Sequence, residues 1–207
     1  MEQGRKHMTA QKIIVLGAAG SLARVAIGSL LRESNAQLTL YLRDSQRMSK
    51  LVSERVRIVE GDVLDERALT DAIRGQDLVY ANLAGEMERQ ATTVVKAMHV
   101  AGVRRLIFVS SMGIYDEAGE KFGGVLEPYR KSAAVIEASD LDYTVLRPAW
   151  FTDEHEVAYQ TTQKGQRFIG STVSRKSIAD LIVKLSRTPQ MAVRESLGIG
   201  KAQEDKR

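Results

Sequence analysis

Short apolar runs alternate with stretches of helical periodicity from residue 12 to residue 186. KIIVLG at 12–17 is a β-branched run ending on glycine, as expected of a strand buried on both faces. It is followed by Ser21–Glu33, where Leu22, Val25, Ala26, Leu30 and Leu31 fall on one helical face. QLTLYL at 37–42 and VRIVEG at 56–61 predict two more strands, separated by a basic connector. Residues 65–74 predict a helix with Asp65 as N-cap, Leu69, Ala72 and Ile73 inward, and Gly75 as its stop. DLVYANL at 77–83 is a fourth strand. The helix expected over 85–102 turns Met87, Ala91, Val94, Val95 and Met98 to one side and ends at Gly102.

RLIFVSS at 105–111, a helix over 129–138 and YTVLRP at 143–148 complete the ladder, with a long polar loop over 112–128 that suggests a lid or pocket wall. Beyond Ala149 the pattern loosens to one amphipathic helix over 174–185 (Ile178, Leu181, Ile182, Leu185), an edge strand at 196–200 and a frayed tail, KAQEDKR. No internal repeat is visible. Strand–helix alternation of this kind predicts an α/β protein: a doubly wound parallel sheet with helices on both faces. The expected organisation is a single domain over 1–207, with a core at 12–148 and a small C-terminal substrate-side appendage at about 149–200.

The chemistry lies between the first strand and the first helix. Gly17-Ala18-Ala19-Gly20-Ser21-Leu22-Ala23 is a GxxGxxA arrangement. Gly17 permits a sharp turn off the strand, Gly20 leaves room for a pyrophosphate near the backbone, and Ala23 lets the helix pack closely. The helix N-terminus then offers free N–H groups to phosphate. A tight turn that merely needs glycine is the bland alternative, and the strand-before, helix-after context weighs against it. This is the dinucleotide-binding, Rossmann-like arrangement. The second strand bears on which dinucleotide. An acidic residue about twenty positions past the glycines selects NAD, whereas here Arg43 follows Gly20 by 23 residues within YLRDSQR. A guanidinium there grips a 2′-phosphate, so NADP(H) is expected over NAD(H), with Arg47 helping and Arg24 a weaker candidate. Asp44 keeps the ribose alternative open.

GAAGSLA, YLRDSQR, GDVLD (61–65), VYANLAG (79–85), FVSSMGIY (108–115) and DYTVLRPAW (142–150) together resemble the atypical short-chain dehydrogenase/reductases, in the NmrA-like and biliverdin-IXβ/flavin-reductase-like branch, over about residues 12–186. The resemblance implies NAD(P)-binding roles for Ala19, Ser21 and Leu22 in the glycine loop. It further implies Asp62 and Val63 flanking the adenine, and Ala81, Asn82 and Leu83 lining the adenosine and ribose. Ser110 and Ser111 would approach the nicotinamide, and Pro148, Ala149 and Trp150 would close over it. Counting back from Arg147-Pro148 places Tyr129 near the nicotinamide ribose. Ser111 and Tyr129 are therefore the catalytic candidates, with turn capping the alternative for the serines.

The sequence departs from the wider family in one respect. A tyrosine four residues before a lysine shares a helical face with it, which lowers the phenol's pKa for proton transfer. None of the six tyrosines has that lysine: Tyr129 is followed by Ala133 and Tyr115 by Gly119. The flavin-reductase-like branch works without the pair, because a flavin accepts hydride with little help from a tyrosine acid. Two functions follow. One is an NADPH-dependent oxidoreductase of a small acceptor such as a flavin, quinone or carbonyl compound. The other is a non-catalytic NADP(H)-binding redox sensor of NmrA type, working through a protein partner.

Composition narrows the field further. The 207 residues are 43% hydrophobic and 27% charged, the balance of a globular protein. The absence of cysteine excludes disulfides, thiolate catalysis and Cys-ligated zinc, and fits a cytoplasmic location. MEQGRKHMTA lacks the apolar stretch of a signal peptide, and no run of about eighteen apolar residues predicts a membrane span. The net charge of +4 is too small to imply nucleic acid, and the basic stretch 43–57 carries no aromatic residue to stack bases. Asp153-Glu154-His155-Glu156 reads as a solvated loop or pocket rim rather than a metal site, because consecutive side chains diverge. Trp150, the one tryptophan, is either an aromatic platform for a planar substrate or a core plug. A homodimer through the 85–102 helix stays open.

Overall fold

The structure, a computed structural model, describes residues 10–119 and 123–201. The elements run β1 (Lys12–Leu16), α1 (Ser21–Glu33), β2 (Gln37–Leu42), β3 (Val56–Glu60), α2 (Glu66–Ile73), β4 (Leu78–Ala81), α3 (Met87–Ala101) and β5 (Arg105–Val109). They continue with α4 (Glu127–Glu137), β6 (Asp142–Pro148), β7 (Trp150–Thr152), β8 (Gln160–Gln163), β9 (Thr172–Ser174), α5 (Arg175–Arg187) and β10 (Glu195–Gly200). One sheet has the order β3-β2-β1-β4-β5-β6-β10-β8, parallel except for β8, and β7 and β9 form a separate parallel pair.

Alternation along β1 explains the two layers. Ile13 and Val15 join the core beneath α1 and α5, while Ile14 and Leu16 join the core beneath α2, α3 and α4. A strand buried on both faces reads as continuously apolar, which is why KIIVL carries no polar alternation. Each such side chain taken from water contributes roughly 1.5–3 kcal/mol. The helix ends follow local chemistry. Asp65 caps α2 by accepting from Ala68 N at 3.0 Å. Gly102, with φ +72°, ends α3 in the left-handed conformation.

Three expectations change. The strand at 196–200 is not an edge: β10 lies between β6 and β8, and Leu197 and Ile199 are buried on one of its faces. The edge is β8, whose QTTQ sequence has no apolar pattern to announce it, as suits a strand with one open side. Second, α4 begins at Glu127, two residues earlier than expected, because Pro128 sits comfortably in the first turn. Third, the basic connector contains a 3-10 helix, Ser45–Leu51, which buries Met48. The tail at 202–207 and the first nine residues lie outside the described residues. No helix among the described residues is long and apolar enough to cross a membrane.

Candidate functional site

The chain passes from β1 to β2 on one side and later to β4 on the other, so a crevice opens beyond the carboxyl ends of β1 and β4. A cleft of about 590 Å³ occupies it, within the range of small-molecule sites. Its walls include Gly17, Ala19 and Gly20 from the glycine loop, Arg43 and Arg47 past β2, Asp62 and Val63 past β3, and Asn82 and Leu83 past β4. Residues far apart in sequence therefore meet at one switch point.

The loop's glycines have separate reasons. Gly17 has φ +74°, and a Cβ there would run into the carbonyl oxygen of Asn82. Its N–H donates to Tyr41 O at 3.1 Å, tying the loop to β2. Gly20 has ordinary φ, but a Cβ would lie 2.5 Å from Asn82 Nδ2. Gly20 also caps α1 without any side-chain acceptor, and no acidic residue follows in the first turn. The first N–H groups of α1 are thus left to a ligand, at the positive end of the helix dipole.

Along the β2 rim, Arg43 and Asp44 are both exposed and both line the cleft, and Asp44 Oδ1 accepts from Gln46 N at 3.2 Å as cap of the 3-10 helix. Arg24 is also spent on structure, donating to Ala19 O at 3.1 Å and Arg47 O at 3.4 Å. Asp62 Oδ1 accepts from Leu64 N at 2.9 Å, forming a side-chain turn that fixes the β3 end of the cleft.

Several wall residues have no sequence signal. Tyr41 is buried at the cleft floor and donates its hydroxyl to Asp62 O at 3.0 Å. Burial, with smaller help from Asp65 and Asp62, pushes that phenol up to about 12. Gln90, from α3, donates its amide to Ala84 O at 3.2 Å, while its buried Oε1 has no hydrogen-bond partner among the described residues. A buried acceptor left unmet is costly unless a ligand donor completes it. The polar glycine loop, the open α1 terminus, the paired arginines and this orphan oxygen together fit a dinucleotide.

Other predicted residues sit differently. Leu22 and Ala81 turn their side chains into the two cores, so only their backbones are available to a ligand. Ser21 is exposed at the start of α1. Beyond β5, Ser110 is buried and donates to Tyr129 O at 3.5 Å, while Ser111 Oγ donates to Met112 O at 3.1 Å. Tyr129 is half-buried on the first turns of α4. Lys131 turns away from it toward Glu88 and Glu127. Pro148 and Ala149 are buried at the end of β6, where Pro148 O accepts from Met112 N at 3.1 Å. Trp150 is 63% exposed, which removes the core-plug alternative. Asp153 pairs with Arg175, and Glu154 and Glu156 with Lys201. The proximal part of the 112–128 loop is anchored: Glu117, paired with the buried Arg147, also accepts from Gly113 N at 3.1 Å and Tyr115 N at 2.9 Å.

A model of an NAD(P)H-binding family matches residues 17–189. The chain is similar over 95% of its length, at 40% identity and a TM-score of 0.85, to a Rossmann-fold NAD(P)-binding family protein from Shigella flexneri, 98% of which is covered. It is 27% identical to a short-chain dehydrogenase/reductase from Veillonella parvula solved with NADP, covering 92% of this chain and 94% of that one with a TM-score of 0.85. It is also 24% identical over 163 residues to quinone oxidoreductase 2 of Escherichia coli (strain K12), covering 77% of this chain and 56% of that protein. The chain thus spans about half the length of the curated relatives it matches.

Proposed function

The chain belongs to the NAD(P)H-binding family, within the atypical short-chain dehydrogenase/reductases, and we propose that it is an NADPH-dependent reductase of a small acceptor such as a flavin or quinone. The observation that carries this reading is the division of labour past β2. Arg43 and Arg47 line the cleft beside Asp44, and because Asp44 Oδ1 is already engaged as a helix cap the two guanidinium groups outweigh the one carboxylate on the rim. A 2′-phosphate is the group such a rim selects.

In this reading the first turn of α1 holds the diphosphate and Gln90 Oε1 accepts from an adenosine hydroxyl or amine. The nicotinamide supplies a hydride when bound. Ser111 and Tyr129 position the acceptor beyond β5 and α4, and Trp150 offers it an aromatic face that excludes water. Flavins and quinones take a hydride without an obligatory tyrosine acid, in keeping with the missing Tyr–Lys pair. The likeness to a quinone oxidoreductase supports this acceptor class. A sensor without turnover is the second reading, favoured by that same missing pair and by Lys131 being engaged with carboxylates.

The test is a paired titration of NADPH and NADH followed by Trp150 fluorescence and calorimetry, repeated with Arg43→Ala. NADPH should bind more tightly, and the variant should fall toward NADH affinity. Equal affinities in the wild-type chain would defeat the preference. NADPH oxidation across a panel of flavins and quinones then separates enzyme from sensor, and no turnover with any of them would favour the sensor.

A further inference from the structure

Arg175 carries no sequence motif, yet the fold brings it to the mouth of the glycine loop. It opens α5 directly after β9, which pairs with β7 so that Thr152 lies opposite Ser174. Arg175 Nε donates to Ser21 Oγ at 3.3 Å across 154 residues of chain. Nη1 donates to Asp153 Oδ1 at 2.6 Å and to Thr152 O at 3.4 Å, and the guanidinium sits 5.1 Å from the centre of the Phe151 ring. Nη2 makes no hydrogen bond to a described residue.

The pair with Asp153 is lopsided. Arg175 is only 20% exposed, whereas Asp153 is 92% exposed. A carboxylate so fully in water offers little net attraction, while the guanidinium has lost most of its hydration. Arg175 also brings positive charge to the end of α1 where the helix dipole is already positive. Both features favour a stronger anion at Ser21.

We propose that Arg175 is a ligand of the dinucleotide's diphosphate, and that it gives up Asp153 when the diphosphate binds. This rests on the cofactor reading above. A diphosphate gives the planar guanidinium a bidentate, charge-assisted partner. Because Arg175 also contacts Phe151 and Thr152, the same exchange couples cofactor occupancy to the segment 150–153 that carries Trp150.

The experiment is calorimetric titration of the full chain with NADPH and with adenosine 2′-monophosphate, which has the 2′-phosphate but no diphosphate. Arg175→Gln should lose about tenfold or more in NADPH affinity and leave the monophosphate unchanged, with Arg175→Lys recovering part of the loss. Asp153→Asn should tighten NADPH by about two- to fivefold. Arg175→Gln binding NADPH within about twofold of the wild type would overturn the proposal. An equal loss for the monophosphate would overturn it too, because the damage would lie at the adenosine end. Weaker binding by Asp153→Asn would refute the exchange. A wild-type chain that binds neither ligand would defeat the cofactor reading itself, a separate failure from the loss of the Arg175 contact.

Discussion

The buried pair of Glu117 and Arg147 provides a sharp test of how the site is held. The Arg147 side chain is 0% exposed and that of Glu117 is 4% exposed. Arg147 Nε donates to Ser196 Oγ at 3.1 Å and Nη2 to Ser196 O at 3.1 Å, so the guanidinium is fixed to β10. Glu117 in turn gathers the N–H groups of Gly113 and Tyr115. Its own carbonyl accepts from Phe168 N at 3.1 Å. One ion pair thus joins the loop after β5, strand β6 and the substrate-side segment.

Glu117→Ala leaves a buried cation without its counter-charge and two backbone donors without an acceptor. Breaking such a pair from one side costs about 3–5 kcal/mol. For a chain of this length each kcal/mol lowers Tm by roughly 2–4 °C, so a fall of about 6–20 °C is expected. Urea unfolding should show a lower midpoint at unchanged m-value. Glu117→Gln keeps an acceptor and the shape, so its loss should be smaller, about 1.5–3 kcal/mol. The double variant Glu117→Leu, Arg147→Met should recover much of the stability, because apolar replacement removes both desolvated charges together. A loss below about 1 kcal/mol in Glu117→Ala would refute the argument that this pair is closed to water.

Other outcomes follow from single contacts. Gly17→Ala should destabilise by more than about 2 kcal/mol, since it combines positive φ with a backbone clash at Asn82. Gly20→Ala, with ordinary φ, the end of the Asn82 side chain as its main clash and Gly17 O at 3.3 Å, should fold nearly normally and lose NADPH affinity in calorimetry. Arg55→Ala should cost about 2–3 kcal/mol in urea unfolding, because its guanidinium satisfies Leu31 O at 3.0 Å, Ser34 O at 2.7 Å and Ala36 O at 3.1 Å beyond α1. The Tyr41 phenol rises from 10.0 to about 12 mainly through burial, then through Asp65 and Asp62. Its contribution is therefore full below pH 10 and lost as pH rises through 12, and Tyr41→Phe should flatten the alkaline limb of a stability–pH curve.

The sheet was legible because its strands and helices obey different periods. Ile13 to Leu16 could only be a two-faced strand, and Asp65 and Gly102 mark the helix ends by mechanisms that act locally. What was hidden depends on contacts made across the fold. β8 reads as loop because an edge strand needs no apolar alternation, and β10 reads as an edge because the strand that covers it carries no such signal. In the site, the glycine loop and Arg43 carry positional meaning that spacing alone conveys. Tyr41 and Gln90 do not: a tyrosine in an apolar strand and a glutamine on a helix are ordinary until the cleft surrounds them. At Leu22 and Ala81 the side chains point into the cores, since a position beside the cleft does not determine where a side chain points.

The basic stretch 43–57 shows how one composition divides into different tasks once folded. Arg55 is locked onto carbonyls at the end of α1, and Arg57 Nε donates to Thr39 Oγ1 at 2.8 Å. Arg43 and Arg47 alone of the four arginines face the cleft. The distinction follows from the strand direction. Arg55 and Arg57 enter β3 at the amino end of the parallel sheet, whereas Arg43 and Arg47 leave β2 at its carboxyl end, where α/β sheets bind their ligands. Charge that looks uniform along the chain is thereby sorted into structural cations at one end and cleft-lining cations at the other. Arg175, delivered by α5 to that same carboxyl end, reaches Ser21 at the start of α1.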